Sequence, residues 1–269
     1  MATAGYAMGG RGMSVGSVLS RAFGVIGAAP LLFFGTSFVL AALPSLLFRL
    51  ATPLATVRPT FDGESALARA LPVFLALSLG WVLFFLAAQA VLFRATAAQL
   101  DGRREPFGSY VGAAARSRLP LLGLAILLSL AVWFGLILFV VPGIILAMMW
   151  AVAAPALVIE GVGVFGAFGR SRYLTSGSRW RIFGLVLLVY AIYFIASALL
   201  GIGSLAAGFA AGRAGTPVAV QPTLWSTAIS MVLQTAFVAI WTAIQGALFV
   251  ELRDAKDGPS GDRLSDIFA

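Results

Sequence analysis

The chain has 269 residues, 61% of them hydrophobic and 10% charged, where a soluble domain is about 45–50% apolar and about 25% charged; with a mean hydropathy of +1.01 it reads as a membrane protein. It contains no His and no Cys, which removes the commonest metal ligands, imidazole bases, thiol nucleophiles and disulfides, so neither cofactor, metal site nor enzymatic chemistry is expected. The net charge of +8 rests on 17 Arg and a single Lys, a balance that in a membrane chain reports topology and lipid headgroup contact rather than nucleic acid.

In chain order, residues 14–29 place Val15, Val18, Leu19, Ala22 and Ile26 at helical spacing, with Ser14, Ser17, Arg21 and Gly24 on other sides. This predicts an amphipathic helix in the membrane plane. It is not a secretory signal, because the apolar run from Ala22 to Phe48 exceeds an h-region of about 7–15 residues.

Six apolar stretches follow, at 31–48, 71–93, 119–141, 144–159, 182–211 and 224–250, and none contains Lys, Arg, Asp or Glu. A hydrocarbon core of about 30 Å takes about 20 helical residues, so the fourth stretch is short. It either borrows Glu160 and the glycines beyond, or pairs with the third stretch as a shifted hairpin about the ValProGly tip at 141–143. A re-entrant hairpin is the alternative. Residues 251–269 read as a cytoplasmic tail.

Six spans put fourteen basic residues on one side (Arg11, Arg21, Arg94, Arg103, Arg104, Arg116, Arg118, Arg170, Arg172, Arg179, Arg181, Arg253, Lys256 and Arg263) and four on the other (Arg49, Arg58, Arg69 and Arg213). Lys and Arg in short flanks mark the cytoplasmic side, so both termini are expected there. Five spans would lose the asymmetry.

Two further lead-in segments repeat the amphipathic pattern. Before the third span, Phe107, Tyr110, Val111 and Ala114 form a stripe with Ser109, Gly112 and Arg116 off it. Before the fifth come Val164, Phe165, Ala167 and Phe168, then Arg170, Arg172 and a stop at Gly177. GAAARSRLP at 112–120 and GAFGRSRYL at 166–174 share five of nine residues, and QAVLFRATAAQLDG at 89–102 echoes QGALFVELRDAKDG at 245–258. Together these echoes predict an all-α, single-domain bundle of six spans in three hairpins, each preceded by a cytoplasmic amphipathic helix.

From Phe139 onward the text resembles the glycerophosphoryl diester phosphodiesterase membrane domain family. The likeness lies in ProGly at 142–143, GluGly at 160–161, then Ala167, Arg170, Ser171, Leu174, Gly177, Trp180 and Arg181, with similar ALFVELRDAKDG and LSDIF endings. The resemblance implies a stand-alone bacterial membrane module, without the catalytic domain to which such modules are sometimes fused. That domain would be a barrel of about 250 residues with histidines this chain lacks.

Gly161, Gly163 and Gly166 spell GxGxxG, but a membrane span precedes them and no acidic residue follows Glu160 before Glu251. A turn into the following helix is the better reading than a dinucleotide site. Glu160 reads as an interfacial carboxylate paired with a nearby Arg; drawn into the membrane it would be a functional candidate. Gln89, Gln234 and Gln245 read as interhelical hydrogen-bonders, with substrate coordination the alternative. Gly208 and Gly212 form a GxxxG pair suited to close helix contact. Trp180 and Trp225 fall at interfaces, while Trp81, Trp133, Trp150 and Trp241 fall mid-span. The carboxylate pairs Asp62 with Glu64 and Asp101 with Glu105 read as solvated loop charge.

The residues expected to touch lipid headgroups or a partner are Arg116, Arg118, Arg170, Arg172 and Arg181, with Glu160, Gln89 and Gln245 as structural polar groups. The reading is a non-enzymatic integral protein of the bacterial cytoplasmic membrane that contacts lipids, anionic ones among them, or a protein partner or second copy. The alternative is a transporter or channel. Convergence of Gln89, Gln234 and Gln245 on one wet cavity would favour it.

Overall fold

The computed structural model describes residues 13–48, 63–103, 105–213 and 224–258, with their side chains outside 63–70, 200, 202–213 and 224. Every regular element among them is helical: α1 (Val15–Ala28), α2 (Pro30–Ser37), α3 (Gly63–Leu100), α4 (Phe107–Leu138), α5 (Val140–Met149), α6 (Ala153–Glu160), α7 (Gly163–Thr175), α8 (Arg179–Arg213) and α9 (Leu224–Asp257). A π-helical turn, Phe38–Ala42, carries α2 on toward Phe48. Six helical segments are long and apolar enough to cross a membrane: Pro30–Phe48, Leu71–Leu100, Phe107–Leu138, Val140–Glu160, Arg179–Leu199 and Trp225–Asp257.

The breaks between elements have local causes. The Ser14 hydroxyl caps α1 by accepting from the Ser17 amide at 3.0 Å, and Ala29 leaves the helical region (φ −145°) because Pro30 follows it. Gly161 and Gly163 both take left-handed backbone (φ +69° and +71°), which turns the chain sharply from α6 into α7. The GxGxxG glycines therefore serve a turn.

Three expectations need correction. The lead-in segment before the third span is not a separate helix. Phe107–Leu138 is one continuous element with Pro120 inside it, and of its predicted stripe Tyr110 and Ala114 are buried while Phe107 and Val111 stay exposed. The fourth span is two helices, α5 and α6, broken at Trp150–Val152. Residues 251–257 are not tail but the last turns of α9; 259–269 lie outside the described residues, as do Asp62 and the side chains of α8 around Gly212.

Helices α3, α4 and α5 pack in succession, and α9 packs against both α1 and α3. The well-buried side chains gather toward one end, where α1, α6, α7 and the C-terminal turns of α3 and α9 meet: Val18, Leu92, Phe93, Leu174, Phe249 and Leu252 are almost inaccessible. At the opposite end, Ile137, Leu138, Phe139, Val140 and Val141 at the α4–α5 tip are exposed. There the backbones approach closely, since a Cβ on Gly143 would lie 2.7 Å from the Leu136 nitrogen.

Candidate functional site

The charged end is organised by the last turns of α9. Glu251 accepts from the Ser14 amide at 3.2 Å and from the Ser17 hydroxyl, and Arg21 of α1 lies 3.8 Å from Glu251 and 3.5 Å from Asp254. On the neighbouring face Arg253 reaches Asp101 at 2.8 Å, and Arg103 reaches the other oxygen of that carboxylate at 3.1 Å. Asp101 is thus a buried ion-pair centre, its side chain 3% exposed, and not the solvated loop charge its sequence context predicts. The Asp–Gly turn at 101–102 looked like a loop; nothing local in the sequence shows that Arg253 lies across from it.

A third set joins α6, α7 and α9. Glu160 accepts from two nitrogens of Arg170, at 2.7 Å from Nη2 and at 2.8 Å and 3.1 Å from Nε, and Asp257 accepts from the same arginine. The hydrogen bonds that Arg170 donates to Glu160, first, and to Asp257, second, raise the pKa of its guanidinium still further above its ordinary value. A raised basic group contributes stability that is fully present below the unfolded value and lost only above the folded one, so this contribution holds across neutral and mildly alkaline pH. Arg170 and Lys256 also lie 5.8 Å and 5.5 Å from the Tyr173 ring centre.

The other candidates are not drawn into this network. Arg181 is exposed and donates to the Met13 carbonyl at 3.0 Å. Arg116 is exposed and bonds only the Gly112 carbonyl of its own helix among the described residues. Arg118 and Arg172 are exposed and make no ion pair or hydrogen bond with described residues. Arg94, in the α3 exit, lies 3.9 Å from Glu105.

The break in the fourth span uses Gln245, expected from the sequence as an interhelical hydrogen-bonder, together with the hydroxyls of Ser171 and Thr175, to which the sequence reading gave no such role. Pro155 has no N–H to offer the Ala151 carbonyl four residues earlier, and its ring crowds that carbonyl. Gln245 instead donates to Ala151 at 3.3 Å. Ser171 and Thr175 of α7 donate to the Met149 carbonyl at 3.0 Å and 3.1 Å, and the Ser171 oxygen accepts from the Val152 amide at 3.3 Å. Ser171, Thr175 and Val152 are fully buried, so the non-helical backbone is enclosed by protein, the setting in which a membrane chain tolerates it. Pro155 was the sequence signal that could have located this break.

The glutamines do not converge. Gln234 accepts from Ser45 at 2.9 Å, Gln245 serves the α5–α6 break, and Gln89 makes no hydrogen bond with described residues. None of the three lines the three cavities bordered by α1, α2, α3, α4, α8 and α9 residues such as Arg21, Leu83 and Leu188. Exposed Trp180 stands at the charged end and exposed Trp225 at the start of α9; Trp150 packs edge-on against Phe168 at 4.9 Å, and Trp241 stacks among Tyr190 and Phe237. Among the described residues no group of His, Cys, Asp or Glu is arranged to hold a metal ion.

Comparison with known proteins finds no significant match among curated proteins or solved structures. A family model described as a domain of unknown function, DUF7847, matches residues 13–252, from the N-cap region of α1 into the charged turns of α9, and the chain belongs to that family.

Proposed function

We propose that this integral membrane protein is a non-enzymatic module of the bacterial cytoplasmic membrane, both termini facing the cytoplasm, that contacts lipid headgroups or a partner through its arginine-bearing face. The observation that carries the reading is a division of labour among the arginines. Arg21, Arg170 and Arg253 are bound into ion pairs, while Arg116, Arg118 and Arg172 present exposed guanidiniums free of carboxylates among the described residues. Each cation held near an anionic leaflet gains about 1 kcal/mol. The hydrogen bond of Ser14 to Glu251 brings the first and last described helices together, as an even number of crossings requires. The ProGly, GluGly and ArgSerArg positions support kinship with the glycerophosphoryl diester phosphodiesterase membrane domain family, and the three-hairpin arrangement belongs to the same reading.

The test is reconstitution into nanodiscs of mixed phosphatidylglycerol and phosphatidylcholine, followed by analysis of the lipids retained. Enrichment of phosphatidylglycerol that falls when Arg116, Arg118 and Arg172 are all changed to Gln is expected. Equal retention of both lipids, unaltered in the triple variant, overturns the lipid reading.

The broken fourth span favours a second reading, since transporters place substrate and ions at discontinuous helices. Against it stand the closure of the freed carbonyls by Ser171, Thr175 and Gln245 and the dispersal of the three glutamines. Substrate-independent behaviour of proteoliposomes in flux assays over small ions and amphiphiles supports the first reading, whereas saturable flux establishes the second.

A further inference from the structure

An open trough runs down the side of the bundle between α2, α3 and the first turns of α4. Its volume is about 990 Å³ and its walls include Leu32, Val39, Leu83, Phe84 and Val111, within or at the upper limit of the about 300–1,000 Å³ typical of small-molecule sites. From Leu31 to Leu40 it descends about 14 Å along the helix, close to one leaflet's share, about 15 Å, of a 30 Å hydrocarbon core. The exposed Phe107 and Val111 line the trough together with the buried Ala114, while Tyr110 packs into the core.

The trough is lined almost wholly by apolar side chains and adjoins a charged cavity. Leu32 and Phe107 are shared with a second cavity of about 860 Å³, which carries Arg21, Arg103 and Glu105. Arg21 and Arg103 are held by carboxylates. Arg118 also lines the trough, is exposed and bonds no described residue, just before the uncharged run 119–141 begins. An apolar channel of this length with an unpaired guanidinium on its wall complements an amphiphile bearing a single anionic group at one end of a hydrocarbon chain.

We infer that this trough binds one glycerophospholipid, an acyl chain lying between α2 and α3 and the phosphate resting on Arg118. The inference rests on the lipid-contacting reading above and deepens it from a general affinity of the face to one stoichiometric site. Charge complementarity selects a phospholipid over a second copy of the chain, because the carboxylates with described side chains, Asp101, Glu105, Glu160, Glu251, Asp254 and Asp257, are already paired with the chain's own arginines.

Two glycines of the trough provide the test, because a Cβ added at Gly35 or Gly80 meets nothing within 4 Å, so that a larger side chain starts into open space. The full chain is delipidated in detergent, returned to phosphatidylglycerol and weighed by native mass spectrometry. The unsubstituted chain is expected to retain one phospholipid. The double variant Gly35→Phe with Gly80→Phe should lower occupancy by about tenfold, and Arg118→Gln should weaken phosphatidylglycerol retention by a similar factor. Gly184→Phe adds the same bulk to an exposed position of α8 that is open within 4 Å and should change nothing. Circular dichroism and monodisperse elution show that each variant is folded.

A photo-crosslinker at Val111 should capture lipid. Unchanged occupancy in a folded Gly35→Phe, Gly80→Phe variant, or capture of a second copy or another protein at Val111, overturns the site. The two proposals fail separately. Absence of a bulk phosphatidylglycerol preference, with one lipid held that trough filling displaces, refutes the headgroup-contacting face, whereas bulk preference that survives with no stoichiometric lipid refutes the trough.

Discussion

The two ends of the bundle solve the same packing problem by different means. At the charged end, Leu92, Phe93, Phe249 and Leu252 are almost fully enclosed and ion pairs link α1, α3, α6, α7 and α9. At the apolar end Ile137 is 75% exposed and Val232 is 69% exposed, and the helices touch through glycine at the α4–α5 tip. Apolar side chains that face lipid tails gain little from leaving them for a protein core, so within a bilayer association depends on close packing and polar contacts. Specific structure therefore accumulates where water and headgroups make it worthwhile. Hydrophobicity alone, spread over all six spans, says nothing about which end is ordered by contacts.

That contrast breaks most sharply at Asp101. Arg253→Leu removes the nearer partner of a carboxylate whose side chain is 3% exposed, and loss of about 3 kcal/mol is expected, since stripping one member from a buried pair leaves an uncompensated charge. Thermal unfolding in detergent measures it, and a change comparable to that of a surface substitution would show that Arg103 alone suffices. Next comes Gly143→Leu, which forces a Cβ toward the Leu136 backbone. Overpacking of this kind costs about 1–3 kcal/mol, and the same assay should find this site the sensitive one at the apolar end.

The α5–α6 break sharpens the comparison further. Ser171→Ala combined with Thr175→Val leaves the Met149 carbonyl without its side-chain donors, with a loss of about 1–3 kcal/mol, while Ser171→Ala alone should cost less because Thr175 remains. Hydrogen exchange at residues 150–153 should rise in the double variant. Smallest of all, Leu138→Ala at the exposed tip should shift stability by no more than about 0.5 kcal/mol. A large loss there would mean that the tip is covered by something other than lipid.

Much of the architecture was legible. The α1 stripe and the six long apolar helices follow from periodicity and from where charged residues are missing, because both signals are local. The continuity of α4 through residues 107–118 was not legible, since an amphipathic stripe looks the same on a separate surface helix as on the projecting end of a span. Asp101 and Arg253 are 152 residues apart, and no local pattern pairs them. Ser171 belonged to the arginine-rich segment that drew attention for its charge, yet its hydroxyl is what closes the broken span. The glycine turn at 161–163 was legible because left-handed backbone is a property of the residue itself.

The wide turn at Phe38–Ala42, where the Leu43 amide bonds the Phe38 carbonyl five residues back, has an architectural result. An added residue in one loop of a helix rotates everything beyond it by about 100°. Above it Leu32, and within it Val39, border the trough; below it, Ser45 meets Gln234 of α9. The inserted residue lets one rod address two different clients, and excising Val39 to restore a regular spiral would swing Ser45 out of Gln234's reach, uncoupling the inner strut from the outer wall.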